Sequence, residues 1–192
     1  FLEGIEYAKP TVILGVCTVH GYFNEGVLRK MAEINEHPII FPLSNPTSKS
    51  ECTFEEALTH TDGRCVFAAG SPFPDVTFQG RTRVADQGYY FYSFPALGLA
   101  GALVQAKHIN DNVITEAAIA LADSLNKEES DADRLYPRLE RVREISNYIA
   151  FRCIKILIRD GLCRDNGLTA SMNDDELYKW IAARMLLPDY SH

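Results

Sequence analysis

The sequence predicts an α/β fold: a parallel sheet followed by a helical carboxyl-terminal region. Three observations predict it. The apolar runs Thr11–Val16, Pro38–Leu43 and Arg64–Ala68 have the length and composition of buried strands. Helical patterns separate them, and strand–helix–strand–helix–strand order implies βαβ units and a parallel sheet. From Phe91 onward, every periodic segment reads as helix.

The elements follow in chain order. Asn24 is placed to cap a helix whose apolar positions Val27, Leu28, Met31 and Ile34 share one face. Thr53 and Glu56 have capping-box spacing, so a short helix starts there. Ser71–Asp75 is loop, and Val76–Val84 is a small hairpin or an edge strand. Phe94–His108 is a nearly all-apolar helix, with Lys107 and His108 placed favourably at its carboxyl end and no catalytic role. Gly98 and Gly101 inside it suggest close backbone packing. Asn112–Leu125 turns Val113, Ala117, Ala120, Leu121 and Leu125 inward. Asn126–Asp133 reads as an acidic connector, and a long amphipathic helix runs from about Pro137 to Asp160, stopped by Gly161. Asn173 and Glu176 repeat the capping-box spacing ahead of Leu177, Trp180, Ile181 and Met185.

Composition excludes several function classes. The 192 residues are 46% hydrophobic and 23% charged, which is globular rather than disordered. A net charge of −7 leaves no basic footprint, so no nucleic-acid partner is expected. Phe91–Val104 is too short and glycine-rich to cross a bilayer, which takes roughly 20 apolar residues, so no membrane partner is expected. The chain opens on Phe1 without a basic region ahead of an apolar core, so Phe1 is read as a processed or cut end. Cys17, Cys52, Cys65, Cys153 and Cys163 form no CxxC pair and no metal spacing with His. They read as small core residues of a reduced, soluble intracellular protein.

Ligands of open parallel sheets bind beyond the carboxyl ends of the strands. That rule nominates three loops: Gly15–Phe23, Ser44–Thr47 and Ala69–Phe73. The first has glycines near both ends, where a backbone can approach a ligand closely or simply turn tightly. In the second, the primary amide of Asn45 can donate to a carboxylate oxygen and accept an N–H at once. An Asx-type turn, in which Asn45 bonds only its own backbone, is the alternative. Pro46 restricts the backbone of Asn45 in either case. The third is turn chemistry with an aromatic packed behind it. The pairs Glu55/Glu56, Glu128/Glu129 and Asp174/Asp175 read as solvated faces and caps.

Eight blocks now carry a resemblance: Lys9-Pro-Thr-Val-Ile-Leu-Gly-Val16, Met31-Ala-Glu-Ile-Asn35, Pro38-Ile-Ile-Phe41, Leu43-Ser-Asn-Pro-Thr-Ser48, Glu51-Cys-Thr53, Thr61-Asp-Gly-Arg64, Gly70-Ser-Pro-Phe73 and Arg134-Leu-Tyr-Pro137. In this order they resemble the carboxyl-terminal part of a malic enzyme, densely from Ala8 to Phe94 and more thinly beyond. The resemblance implies the later half of a doubly wound, Rossmann-like parallel sheet over residues 1–92, a partial NAD(P)-binding domain. A helical region over 93–192 would pack on it. It implies oxidative decarboxylation of malate to pyruvate and CO₂ with NAD or NADP. A divalent metal (Mg or Mn) would act as Lewis acid. Gly15, Val16, Cys17, Ser44 and Asn45 would face the cofactor, and Asn45 the substrate as well.

The chain departs from the family pattern at two places. His20 stands where a glycine is usual. The motif with two asparagines appears as Gln87-Gly-Tyr-Tyr-Phe-Tyr-Ser-Phe-Pro-Ala96, so Tyr89 and Tyr90 occupy substrate-binding positions. A phenol offers one donor and no amide, so it does not replace Asn isosterically. The resemblance places the general-base Lys, the acid Tyr, the metal carboxylates, the GxGxxG turn and the residue that tells NAD from NADP upstream of Phe1. No catalytic residue and no metal ligand is therefore expected in this chain. A complete small dehydrogenase is disfavoured, because half a doubly wound sheet leaves its switch point unpaired. The expectations are a part of a soluble homo-oligomeric enzyme of the cytosol or mitochondrial matrix, or a divergent relative acting as a nucleotide-binding or assembly module.

Overall fold

In the computed structural model the chain forms two compact units, Phe1–Tyr89 and Tyr90–His192. Residues 1–88, 90–132, 134–164 and 169–186 are described. Among them, no helix is long and apolar enough to cross a membrane.

The first unit is built on a parallel sheet of order β1 (Val12–Gly15), β2 (Ile39–Pro42), β3 (Val66–Ala69), β6 (Asp86–Gln87). Val12 pairs with Ile39, Ile39 with Val66, and Ala68 with Asp86. The expected α/β, Rossmann-like topology is therefore present. Helices α1 (Leu2–Ala8), α2 (Glu25–Ile34) and α3 (Phe54–His60) bury Ile5, Val27, Leu28, Met31, Ala57 and Leu58 in one core with Ile13, Ile40 and Phe67. Asn24 accepts from the Val27 amide at 3.2 Å, and Thr53 and Glu56 close a reciprocal capping box. The Arg64 guanidinium donates to the carbonyls of Ala32, Asn35 and Glu36, closing the carboxyl end of α2.

Val76–Val84 resolves as a hairpin, β4 (Val76–Phe78) and β5 (Arg81–Arg83), turned by Gln79 and Gly80 at φ 49° and 76°. Sequence reasoning missed α1 and β6. A seven-residue helix and a two-residue strand carry too little periodicity to register.

The second unit packs α4 (Ser93–Leu103), α5 (Asp111–Asp123), α7 (Val142–Arg159) and α8 (Asp174–Ala182) around Ala100, Val113, Ala117, Ile149, Cys153 and Leu177. Several expectations are corrected here. Helix α4 stops at Leu103, not His108, because the chain turns through a left-handed Gln105 (φ 48°) to pair with the segment after α7. Lys107 N–H donates to Leu162 O, and Arg164 N–H to Val104 O. The Lys107 ammonium donates to Gly161 O at 3.0 Å, so it caps α7 instead of its own helix. Gly98 has no described neighbour within 4 Å of an added Cβ, and Gly101 has ordinary contacts, so neither marks a close backbone approach.

The acidic connector contains a short helix, α6 (Lys127–Asp131), with a capping box between Asn126 and Glu129. Glu129 is not solvated: it is fully buried. Its carboxylate takes the amides of Asn126 and Arg138 and pairs with Arg141 at 2.6 Å. Capture of the Arg138 amide holds that residue extended (ψ 143°), so α7 begins at Val142 rather than at Pro137.

Candidate functional site

β1, β2 and β3 run parallel, so their carboxyl ends share one edge of the sheet. The loops leaving them stand together there. Leu43 N–H donates to Gly15 O at 2.8 Å and Gly70 N–H to Pro42 O at 3.1 Å, so each loop starts in register with its neighbour.

A buried carboxylate joins the first two loops. Glu51 is fully buried, and its Oε1 accepts the Cys17 amide at 2.9 Å and the Ser44 hydroxyl. The Cys17 thiol lies 3.4 Å from the same oxygen. Ser44 Oγ in turn accepts the Thr18 amide at 2.9 Å. Gly15 is glycine because Glu51 lies where its side chain would be: an added Cβ would stand 2.5 Å from Glu51 Cδ. Burial opposes ionisation of Glu51. The donated bonds from Ser44 and the Cys17 amide outweigh it and hold the carboxyl below its usual range.

A carboxyl lowered in the folded state stabilises above its unfolded pKa, and that contribution disappears as pH falls through the folded one. The melting temperature of wild type should therefore exceed that of Glu51→Gln at neutral pH, and the gap should close below about pH 4. A gap independent of pH would refute the charged-state assignment.

Asn45 sits between the second and third loops. Its Oδ1 accepts the Ser71 hydroxyl at 2.6 Å, and Ser71 is itself buried. Its Nδ2 makes a long 3.4 Å contact with Leu43 O. The strong bond of the amide is thus to a different loop, which an Asx turn does not explain, and the amide N–H₂ keeps donor capacity. Gly70 allows this arrangement, since an added Cβ would lie 2.1 Å from Leu43 O. Phe73 packs edge-on to Phe67 with ring centroids 6.1 Å apart, so the aromatic behind the third loop is present.

His20 bonds Ser50 O through Nδ1 at 3.0 Å. The carbonyl only accepts, so Nδ1 is the donor in this bond. With Phe1, Val19 and Tyr22 it lines an open cavity of about 370 Å³.

The structure therefore brings Gly15, Cys17, Ser44 and Asn45 to one sheet edge, with the Val16 side chain 75% exposed beside them. Tyr90 opens the helical unit with its side chain exposed, and Tyr89 lies outside the described residues. Sequence reasoning missed Glu51 and Ser71. Glu51 stood in the sequence only as part of the Glu51-Cys-Thr53 block ahead of a helix cap, a place where solvated carboxylates are common, and nothing there signalled its burial.

Cys52, Cys65 and Cys153 are buried, as small core residues should be, and burial pushes the Cys153 thiol up to about 12, whereas Cys17 is exposed and is not a core residue. No group of three or more His, Cys, Asp or Glu that could hold a metal occurs among the described residues. The described residues therefore do not assemble a metal site.

Comparison with known proteins agrees with this architecture. A family model described as the malic enzyme NAD binding domain matches residues 1–158. The chain is 40% identical over 189 residues to an NADP-dependent malic enzyme of Dictyostelium discoideum, covering 98% of this chain and 34% of that protein. It is 42% identical to the mitochondrial NAD-dependent malic enzyme of Ascaris suum over 98% of this chain and 29% of that protein. The chain thus spans about a third of the length of these relatives. A crystal structure of the Entamoeba histolytica malic enzyme superposes with a TM-score of 0.69 at 22% identity, over 90% of this chain and 31% of that one.

Proposed function

The chain belongs to the malic enzyme family, in its NAD-binding domain, and on that premise we propose that it supplies the cofactor-facing loops of an enzyme that converts malate to pyruvate and CO₂ with reduction of NAD or NADP. The observation that carries this is the orientation of Asn45 by Ser71 at the shared carboxyl edge of three parallel strands. When bound, the nicotinamide cofactor accepts a hydride. The residues of this chain bind and orient. The Asn45 N–H₂ is presented to a carboxylate oxygen of malate or to the nicotinamide carboxamide. The backbone of Gly15–Gly21 runs along the cofactor, fixed from below by Glu51 and Ser44.

The proton-abstracting base and the donors for a divalent metal fall, in this reading, to a segment outside these 192 residues. The open edge of the sheet supports that division. β1 has the composition of a buried strand, yet it is an edge strand with Val12 and Leu14 exposed by 40 and 60%, and Val16 just beyond it is exposed by 75%.

The test is an assay of the full-length protein with malate, Mg or Mn, and each cofactor. Reduced nucleotide and pyruvate are expected in equal amounts. Asn45→Ala should lower kcat/KM for malate by about 100-fold, the scale for removing one oriented donor from a reacting centre. A change below threefold would remove Asn45 from the site. A second reading, a nucleotide-binding or assembly module that has lost malate chemistry, is favoured by Tyr89 and Tyr90 at the two asparagine positions. Cofactor binding without turnover in the same assay would establish it.

A further inference from the structure

We propose that Glu51 is a positioning residue for the nucleotide cofactor, setting the Gly15–Gly21 loop through its contacts with Cys17 and Ser44 without itself touching the ligand. The inference rests on the cofactor-site reading above.

Burying Glu51 is costly. A fully buried carboxylate loses its hydration, and the loss is ordinarily offset by a cation or by bonds to both oxygens. Glu129 in this same chain shows that solution: its Oε1 takes the Arg138 amide, and its Oε2 takes the Asn126 amide and the Arg141 guanidinium. Glu51 is equally buried but has no such set. Its acceptor bonds all fall on Oε1, the donors there are an amide, a hydroxyl and a thiol, and Oε2 has no hydrogen-bond partner among the described residues. As a fold-stabilising device it is inefficient. A buried polar group satisfied on one side calls for an explanation beyond stability.

The donors supply that explanation. The amide and thiol are those of Cys17 and the hydroxyl is that of Ser44, one residue from each of the two loops that would meet the cofactor, and neither loop reaches the other by direct backbone bonds beyond Leu43. Glu51 Oε1 holds Cys17, Ser44 holds Thr18, and the two holders are bonded to each other. The loop needs holding. Thr18 is β-branched and sits at φ 57°, a left-handed conformation such residues rarely adopt unless their surroundings impose it. The clamp turns the Cys17 and Thr18 amides inward, and this fixes the path of the remaining loop backbone before any ligand arrives. A preorganised loop spares the cofactor the cost of ordering it, so the clamp should act on cofactor affinity more than on the chemical step.

The experiment compares wild type, Glu51→Gln, Ser44→Ala and Glu129→Gln in the full-length enzyme. Glu51→Gln should raise the cofactor KM by about tenfold while kcat at saturating cofactor stays within about threefold. The Cys17 and Thr18 amides should exchange hydrogen about tenfold faster. Ser44→Ala, which keeps the Glu51–Cys17 bond, should raise the cofactor KM by about threefold, and it carries the test if Glu51→Gln does not fold. Glu129→Gln should lower the melting temperature and leave the cofactor KM within about twofold, which separates loop positioning from general stability. A cofactor KM in Glu51→Gln within twofold of wild type, or a loss confined to kcat, would overturn the inference. If wild type produces no reduced nucleotide from malate, the malate reading falls. Titration of NAD and NADP onto wild type and Glu51→Gln then decides the inference alone: a tenfold difference supports it, and equal or absent binding overturns it.

Discussion

Glu129→Ala should destabilise the helical unit by about 3 kcal/mol, read as the shift in urea unfolding followed by far-ultraviolet circular dichroism. The substitution strands three donors at once. The amides of Asn126 and Arg138 lose their acceptor, and Arg141 loses a partner at 2.6 Å. Breaking a buried pair from one side costs about 3–5 kcal/mol, and the lower end applies here because the Arg141 side chain keeps 24% exposure and can rehydrate. Arg141 also retains Glu144. Glu129→Gln should cost less than half as much, because its amide oxygen still accepts a backbone N–H. A loss below 1 kcal/mol for the alanine variant would mean that the connector between α5 and α7 is held by something other than this carboxylate.

Gly70→Ala should cost about 2–3 kcal/mol and lower malate turnover with it. The added Cβ would lie 2.1 Å from Leu43 O and 3.0 Å from Asn45 Nδ2. The first contact is with backbone, and that backbone cannot retreat freely, because Leu43 N–H is bonded to Gly15 O. Overpacking of this kind typically costs about 1–3 kcal/mol, with fixed backbone at the upper end. The displaced segment carries Asn45, so stability and turnover should fall together. Gly98→Ala is the contrasting substitution. With no described neighbour within 4 Å and a helical backbone, it should stabilise by about 0.5–1 kcal/mol. Equal effects at the two glycines, measured by thermal unfolding, would contradict the packing described.

Much of the first unit was legible from local chemistry. Asn24 and Thr53 are side chains whose capping bonds lie within three residues, so the helix starts they announce do not depend on the rest of the chain. The strands were legible for a related reason: runs such as Val12–Leu14 and Ile39–Phe41 are dominated by β-branched and aliphatic residues. The capping box at Asn126 and Glu129 was equally local and was passed over because the surrounding charges suggested a solvated linker. The candidate site was half legible. Asn45 announced itself by its place after a strand and before a proline. Ser71, which orients it, lies 26 residues away, and nothing in a Gly-Ser-Pro turn signals that its hydroxyl is committed elsewhere.

The sequence by itself determined the alternation of β1, α2, β2, α3 and β3, the parallel arrangement this order requires, and the family to which the chain belongs. Those properties follow from periodicity, capping and short motifs, all of which act over a few residues. Tertiary structure alone decided where the charges went. Glu51 and Glu129 look like any surface glutamate in the sequence, yet both are fully buried, one under Gly15 and the other against Arg141. Tertiary structure also ended α4 at Leu103 and delayed α7 to Val142, where pairing of distant backbone amides prevailed over helical propensity. The physical reason is common to all of these. A carboxylate is buried, or a helix interrupted, when a partner from far along the chain satisfies the exposed polar groups. Such partners are brought together when the chain folds, and no spacing along the sequence records them.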